Sequence, residues 1–530
     1  MLGLMQDWPL TVDRVLDHAA TVHGTREVVS RRADGGIERT TYARIRDRAK
    51  QVSNALLTEG VRPGDRIGTV AFNTARHLEA WYGVMGIGAV VHTLNPRLPP
   101  EQLAWIINHG GDRMILADRV CAPLLEAILP ACPGVEKVLY FDPEGFDAWI
   151  EGRPTDCAWG GFDENTAAGL CYTSGTTGDP KGVLYSHRSN VLHSMMAMQP
   201  DVMGISARDV VLPIVPMFHA NGWGIAFSAP MVGSKMVMPG ARLDGASVHE
   251  LIETEGVTFS AAVPTVWQML LQHLDATGGK LTTLQRVVIG GSAVPVSLIR
   301  AFHDRYGVEV RQGWGMTEMS PLGSVCTPTA SIADLPFEEQ LAQRGKAGRA
   351  PFAVEMRLED DEGRRVVHDG QTSGRLKVRG PAVAGAYFGL DKQVLDADGW
   401  FDTGDIATID AEGVMQITDR AKDLIKSGGE WISSVDIENV AVGHPKVAVA
   451  GVIAAAHPKW AERPLLVVQL KPGHTSDCAE LLGFLAERMT KWQTPDDVVF
   501  IEVMPLGATG KVDKKVLRAR FADHQLPTAG

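Results

Sequence analysis

Apolar positions along the first part of the chain recur with two different periods. Over "TYARIRDRAKQVSNALLTEG" (Thr41 to Gly60) they return every three or four residues, the spacing that lines one face of a helix. The runs "DRIGTVAF" (Asp65 to Phe72) and "RMILA" (Arg113 to Ala117) are too short for helices and read as buried strands. The alternation returns at "RVVIGG" (Arg286 to Gly291), so the prediction is an α/β fold with a largely parallel sheet. Beyond about Pro351 the strands shorten and turn signals such as "DDEGR" and "DAEG" appear, which marks a β-rich subdomain over 350–420. From "DRAKDLIKSGGEWIS" onward a small α/β unit resumes. Its strands are expected at "VAVAGVIA" and "PLLVVQL" and its helix around "CAELLGFLAERM". The boundary is placed near Arg420, giving a large domain over 1–420 and a small one over 421–530.

One polar stretch breaks this pattern. "YTSGTTGDPKG" (Tyr172 to Gly182) sits between the strand-like runs "GLCY" and "GVLYSH". Glycines let a loop close tightly around a ligand and aim several N–H groups at one point. Hydroxyl donors and the point charge of Lys181 suit that loop to a polyphosphate with its magnesium ion. It is not a Walker A motif, because no G-x-x-x-x-G-K-[ST] spacing lies near it, and "GATGKV" at Gly507 has the wrong glycine spacing. "GVMGIG" (Gly83 to Gly88) lacks the third glycine of a dinucleotide fingerprint and is read as close helix packing.

Composition narrows the possibilities. The 530 residues exceed what one core usually serves, and 45% hydrophobic with 22% charged residues is ordinary for a globular protein. A net charge of −12 argues against a general nucleic-acid binder. No run approaches the length of a membrane span, and the N-terminus lacks a basic region ahead of an apolar core, so a cytoplasmic enzyme is expected. The six cysteines form no C-x-x-C pair and are expected to be buried, reduced thiols.

Four further segments combine polar residues with glycines and aromatics: "PMFHANGW" (Pro216 to Trp223), "QGWGMTE" (Gln312 to Glu318), "GWFDTGD" (Gly399 to Asp405) and "PLGATGK" (Pro505 to Lys511). In this order after the hydroxyl-rich loop, they resemble the adenylate-forming superfamily, which holds acyl-CoA synthetases, luciferases and peptide-synthetase adenylation domains. "KDLIKSGGEWISSVDIE" and "HPKWAERP" are similar to long-chain fatty-acyl-CoA synthetases, and "WGMTEMSPLG" to 3-(methylthio)propionate-CoA ligases.

The resemblance implies two α/β subdomains, a β-rich subdomain and a C-terminal domain that rotates between half-reactions. It also implies an acid–CoA ligase that makes an acyl-adenylate from ATP before CoA displaces AMP. Short- to medium-chain aliphatic acids, 3-(methylthio)propionate among them, are the leading substrates. Long-chain acids, loading of a carrier protein and a luciferase-like oxygenation are the alternatives.

Residue by residue, the same resemblance places Thr173, Ser174, Gly175, Thr176, Thr177 and Lys181 on the pyrophosphate. Thr173 and Glu318 would bind magnesium. Gly291, Ser292, Ala293, Gln312, Gly313, Trp314, Gly315, Met316 and Thr317 would surround the nucleotide. Asp405 would hold the ribose hydroxyls with help from Arg420, and Trp431 would lie near adenine. His219, Gly222, Trp223, Gly290 and Gly315 would face the acyl group, with Trp223 gating its tunnel. Lys422 is the hinge, and Ser427, Gly428, Gly429 and Glu430 would line the CoA channel. Lys511 would bridge the carboxylate and α-phosphate, although it stands beside two lysines, Lys514 and Lys515, read as solvated. In its motif Leu506 and Gly507 replace the usual basic residue and threonine, which leaves the local loop contacts open. A homodimer is expected from related synthetases.

Overall fold

The structure, a computed structural model, describes residues 1–530 except 2, 174–178, 392, 429, 508–510 and 530, and the side chains of 430 and 529 are also outside the description. Two sheets carry the large domain. One has six strands, ordered Lys137–Tyr140, Asp112–Ala117, Arg66–Val70, Val90–Thr93, Ala167–Tyr172 and Gly182–Ser186. Its neighbours are parallel except for the last pair, which forms a hairpin. The other has eight strands, antiparallel only at its two edges. The expected parallel α/β layering is therefore present.

The helical stretch is a helix over Tyr42–Thr58, with the Thr41 side chain accepting from Arg44 N–H at its start. It packs on the helix Ala75–Gly86 at Gly83. A Cβ there would come 2.7 Å from Ala49 O and from Val52, so "GVMGIG" is a close-packing glycine motif as its spacing suggested. The strands Arg66–Val70 and Asp112–Ala117 lie where the short apolar runs predicted them. All six cysteines are free thiols, five of them buried.

A four-stranded antiparallel sheet, Glu355–Glu359, Gly374–Arg379, Phe401–Ile409 and Met415–Arg420, supplies the β-rich unit. The last sheet begins at Ile425 and is built on the long hairpin Val447–His457 and Ala461–Leu470. Between them the chain is tied by buried polar bonds. Asp419 accepts from Ser434 N–H and Ser434 Oγ–H, both at 2.6 Å, and Lys514 donates to Ser434 Oγ at 2.6 Å and pairs with Glu438 at 2.8 Å. Lys514 is thus not the solvated lysine that its charged neighbourhood suggested. A buried ammonium needs partners, and only the fold brings Glu438 and Ser434 to it.

Candidate active site

The hydroxyl-rich loop joins the strands Ala167–Tyr172 and Gly182–Ser186, at the carboxyl end of a parallel strand. Ligands of open α/β sheets gather at such ends. Ser174, Gly175, Thr176 and Thr177 lie outside the described residues. The neck of the loop is defined: Thr173 N–H donates to Lys181 O at 2.9 Å, and Lys181 N–H donates to Thr173 Oγ1 at 3.2 Å.

The residues expected around the nucleotide leave two parallel neighbours in the eight-stranded sheet. Gly290 stands opposite Gly313 in register, so "IGGSA" and "QGWGMTE" leave the sheet side by side. Gln312 Oε1 accepts from Val294 N–H at 3.3 Å and joins the two exits. The backbone of Thr317 and Glu318 is held from outside: Tyr185 Oη donates to Thr317 O and Ala384 N–H donates to Glu318 O, both at 2.7 Å.

Asp405 is buried on the strand Phe401–Ile409. It accepts from Trp314 Nε1–H at 2.9 Å on one oxygen and pairs with Arg420 Nε at 2.7 Å on the other. The Trp314 indole therefore brings a polar contact of its own, anchoring the carboxylate as well as offering a flat ring. Burial raises the Asp405 carboxyl, while Arg420 and Trp314 oppose the rise.

Lys511 joins this group from the C-terminal domain. A Cβ on Gly291 would lie 3.9 Å from its Cε, and Gly291 has φ +87°, a conformation that favours glycine. The side chain still reaches solvent in the cleft, yet desolvation and then the charge of Arg420 push its ammonium down to about 8 against the pull of Asp405. Despite the unusual Leu506 and Gly507, the backbone closes this loop itself. Gly507 N–H donates to Lys511 O at 2.7 Å, and Leu506 bridges Val512. His219 is half-buried, and burial, Lys511 and Arg97 lower its imidazole to about 4, so it is neutral near pH 7.

In the segment expected to face the acyl group, Ala220, Asn221, Gly222, Trp223 and Gly224 all have positive φ, from 43° to 74°. Such a left-handed turn costs about 1–2 kcal/mol per non-glycine residue. Packing sustains it: Asn221 Nδ2–H donates to Asn190 Oδ1 at 3.1 Å, and Trp223 is buried. A Cβ on Gly290 would stand 3.1 Å from Trp223 Cη2, so the glycine makes room for the indole.

The remaining sites are more dispersed. Ser427 is fully buried and accepts from Arg463 Nη1 at 3.3 Å. Gly428 packs against Trp460 and Trp492. Gly429 and the Glu430 side chain fall outside the described residues. Trp431 is exposed, with the Lys426 ammonium 4.5 Å from its ring centroid, and among the described residues it has no ring contact with Trp314. Lys422 lies between the last strand of the β-rich sheet and Ile425.

Sequence reasoning missed three residues beside the site. Arg97 stacks over Phe218, 5.7 Å from its ring centroid, and adds its charge to His219. Tyr387 donates to Glu318 Oε1 at 2.7 Å, and Phe388 forms a bridge with Gly182. None lies in the polar, hydroxyl-bearing segments that stood out along the chain, although Gly385 and Gly389 flank Tyr387 and Phe388.

The family model described as AMP-binding enzyme matches residues 16–388, and the model for the AMP-binding enzyme C-terminal domain matches 436–511. The chain belongs to the AMP-binding enzymes. It is 51% identical over 535 residues to a 3-methylmercaptopropionyl-CoA ligase of Ruegeria lacuscaerulensis, covering 99% of both chains. It is 46% identical over 535 residues to a medium-chain-fatty-acid–CoA ligase of Ectopseudomonas oleovorans, covering 99% of this chain and 98% of that one. The crystal structure of an anthranilate CoA ligase in complex with anthranoyl-AMP superposes with a TM-score of 0.87 at 26% identity, covering 97% of this chain and 99% of that one. The resemblance to AMP-forming acyl-CoA synthetases is borne out, and this AMP-binding enzyme has their fold. Among the described residues no helix is long and apolar enough to cross a membrane.

Proposed function

We propose that this AMP-binding enzyme activates a short- to medium-chain aliphatic acid as its adenylate and passes the acyl group to CoA, with 3-(methylthio)propionate the first acid to test. The observation that carries the reading is the meeting of Lys511 with Gly291, Asp405, Arg420 and His219 in one cleft. The full-length similarity to a 3-methylmercaptopropionyl-CoA ligase supports the choice of acid.

In this reading Asp405 takes the ribose hydroxyls, and Trp314 lies against adenine. The Lys511 ammonium offsets charge as carboxylate and α-phosphate approach, which is worth most where the group is already in place and partly desolvated. Neutral His219 lines the acyl side without adding a second cation. Thr173 and Lys181 hold the leaving pyrophosphate.

Thr173 and Glu318 provide hard oxygen donors that fit magnesium. Among the described residues no group of three or more His, Cys, Asp or Glu could hold a metal, so the substrate phosphates would supply most of the ligands. When bound, the ion would neutralise phosphate charge. Rotation about Lys422 would then bring the CoA segment to the adenylate. A cytoplasmic homodimer completes the proposal, and light scattering checks the dimer.

The test is a panel of carboxylic acids of increasing length, assayed for AMP release with ATP and with CoA or a carrier protein as acceptor. Turnover with CoA that peaks among short and medium acids supports the reading. AMP release only with long acids, or only with a carrier protein, overturns the substrate assignment.

A further inference from the structure

Tyr387 lies 69 residues from Glu318 in sequence, and it touches both arms of the phosphate site. Its hydroxyl donates to Glu318 Oε1 at 2.7 Å. Its ring lies under the Lys181 ammonium, 4.9 Å from the centroid. The next residue, Phe388, donates its N–H to Gly182 O at 2.8 Å and closes an antiparallel bridge onto the strand that follows the loop. One dipeptide, between the strands Gly374–Arg379 and Phe401–Ile409, therefore grips the Lys181 arm and the Glu318 carboxylate together.

The contact has a defined polarity. The Glu318 carboxylate oxygen accepts, so the Tyr387 hydroxyl is the donor. That occupies Oε1, and among the described residues no group donates a hydrogen bond to Oε2. The backbone is secured separately, by Ala384 N–H on Glu318 O and by the Tyr185 hydroxyl on Thr317 O. Removing the phenol hydroxyl should therefore free the carboxylate without moving its segment. A carboxylate free to rotate is a poor partner for magnesium, which demands near-ideal octahedral geometry.

We propose that Tyr387 is a positioning residue of the phosphate site, holding the Glu318 carboxylate and the Lys181 ammonium in one frame for a magnesium-bound triphosphate. The proposal rests on the reading of Glu318 as the metal-facing carboxylate. It separates the site into a half that depends on Tyr387, the metal and the outer phosphates, and a half that does not, the adenosine and the acid.

Calorimetric titration of the full-length protein with ATP plus magnesium, ATP plus EDTA, and AMP tests it, with melting temperature measured alongside. For Tyr387→Phe the expected result is a loss of about tenfold in affinity for magnesium-ATP, the scale of one hydrogen bond to a charged group. Affinity for AMP and for metal-free ATP should stay within about twofold of the parent protein, as should the KM for the acid. Equal weakening of AMP and magnesium-ATP with a lower melting temperature would reduce Tyr387 to a structural residue and overturn the proposal. So would unchanged magnesium-ATP affinity.

Glu318→Gln separates this failure from that of the underlying reading, because the amide keeps an oxygen for Tyr387 and loses the charge. If Glu318→Gln binds ATP with the parent's magnesium dependence, the Glu318 reading fails and the proposal with it. If Glu318→Gln loses that dependence and Tyr387→Phe keeps it, Tyr387 alone is misassigned.

Discussion

Raising the pH through the titration of Lys511 should switch off adenylate formation while sparing the second half-reaction. The ammonium is lowered to about 8 in the free protein, chiefly by desolvation and then by Arg420. At that value about nine-tenths of the molecules carry the charge at pH 7 and about one-tenth at pH 9. In the proposed role the protonated form bridges two anions, so kcat/KM for adenylation should fall roughly tenfold for each pH unit well above the midpoint. Bound ATP brings negative charge to Lys511 and should hold its proton more tightly, so the same limb in kcat should lie at higher pH. The neighbouring His219 does not supply this limb, because its imidazole, lowered to about 4, is already neutral at pH 7. The assay is single-turnover formation of acyl-adenylate from ATP and acid, without CoA so that its thiol does not intrude. Lys511→Arg keeps a charge that does not titrate here, and it should be slower yet flat across the same range. An alkaline limb that persists in Lys511→Arg, or a parent profile flat from pH 7 to 9.5, would refute the argument.

Trp223→Ala should raise kcat/KM for longer acids in a graded way, by at most about 0.8 kcal/mol, or roughly fourfold, per added methylene, and lower it for short ones. A loss independent of acid length would make Trp223 a core residue. Because Trp223 has φ +56°, Trp223→Gly should be more stable to heat than Trp223→Ala by about 1 kcal/mol. Lys422→Pro, which fixes φ at the proposed hinge, should slow thioester formation from supplied acyl-adenylate far more than adenylation. Asp419→Ala removes both bonds to Ser434 and should lower stability by about 2 kcal/mol, read as a reduced melting temperature.

Much of this protein was readable in one dimension because its informative features are local. Helix and strand periods depend on neighbours a few residues apart, so the helix Tyr42–Thr58 and the strands Arg66–Val70 and Arg286–Gly290 declared themselves. The five polar segments stood out as well, since glycines and hydroxyls in adjacent positions break the periodic pattern around them. What the chain could not state alone were bonds between residues far apart in sequence. Lys514 reads as a surface charge until the fold sets Glu438 and Ser434 against it. Trp314 reads only as a ring until Asp405, 91 residues on, accepts its N–H. Tyr387 carries no motif at all, and its contact with Glu318 exists because the β-rich unit is laid against the end of the eight-stranded sheet. Backbone pattern is set by short-range sterics and burial, whereas side-chain pairing across the cleft is settled only when whole sheets dock and every buried charge must find a partner.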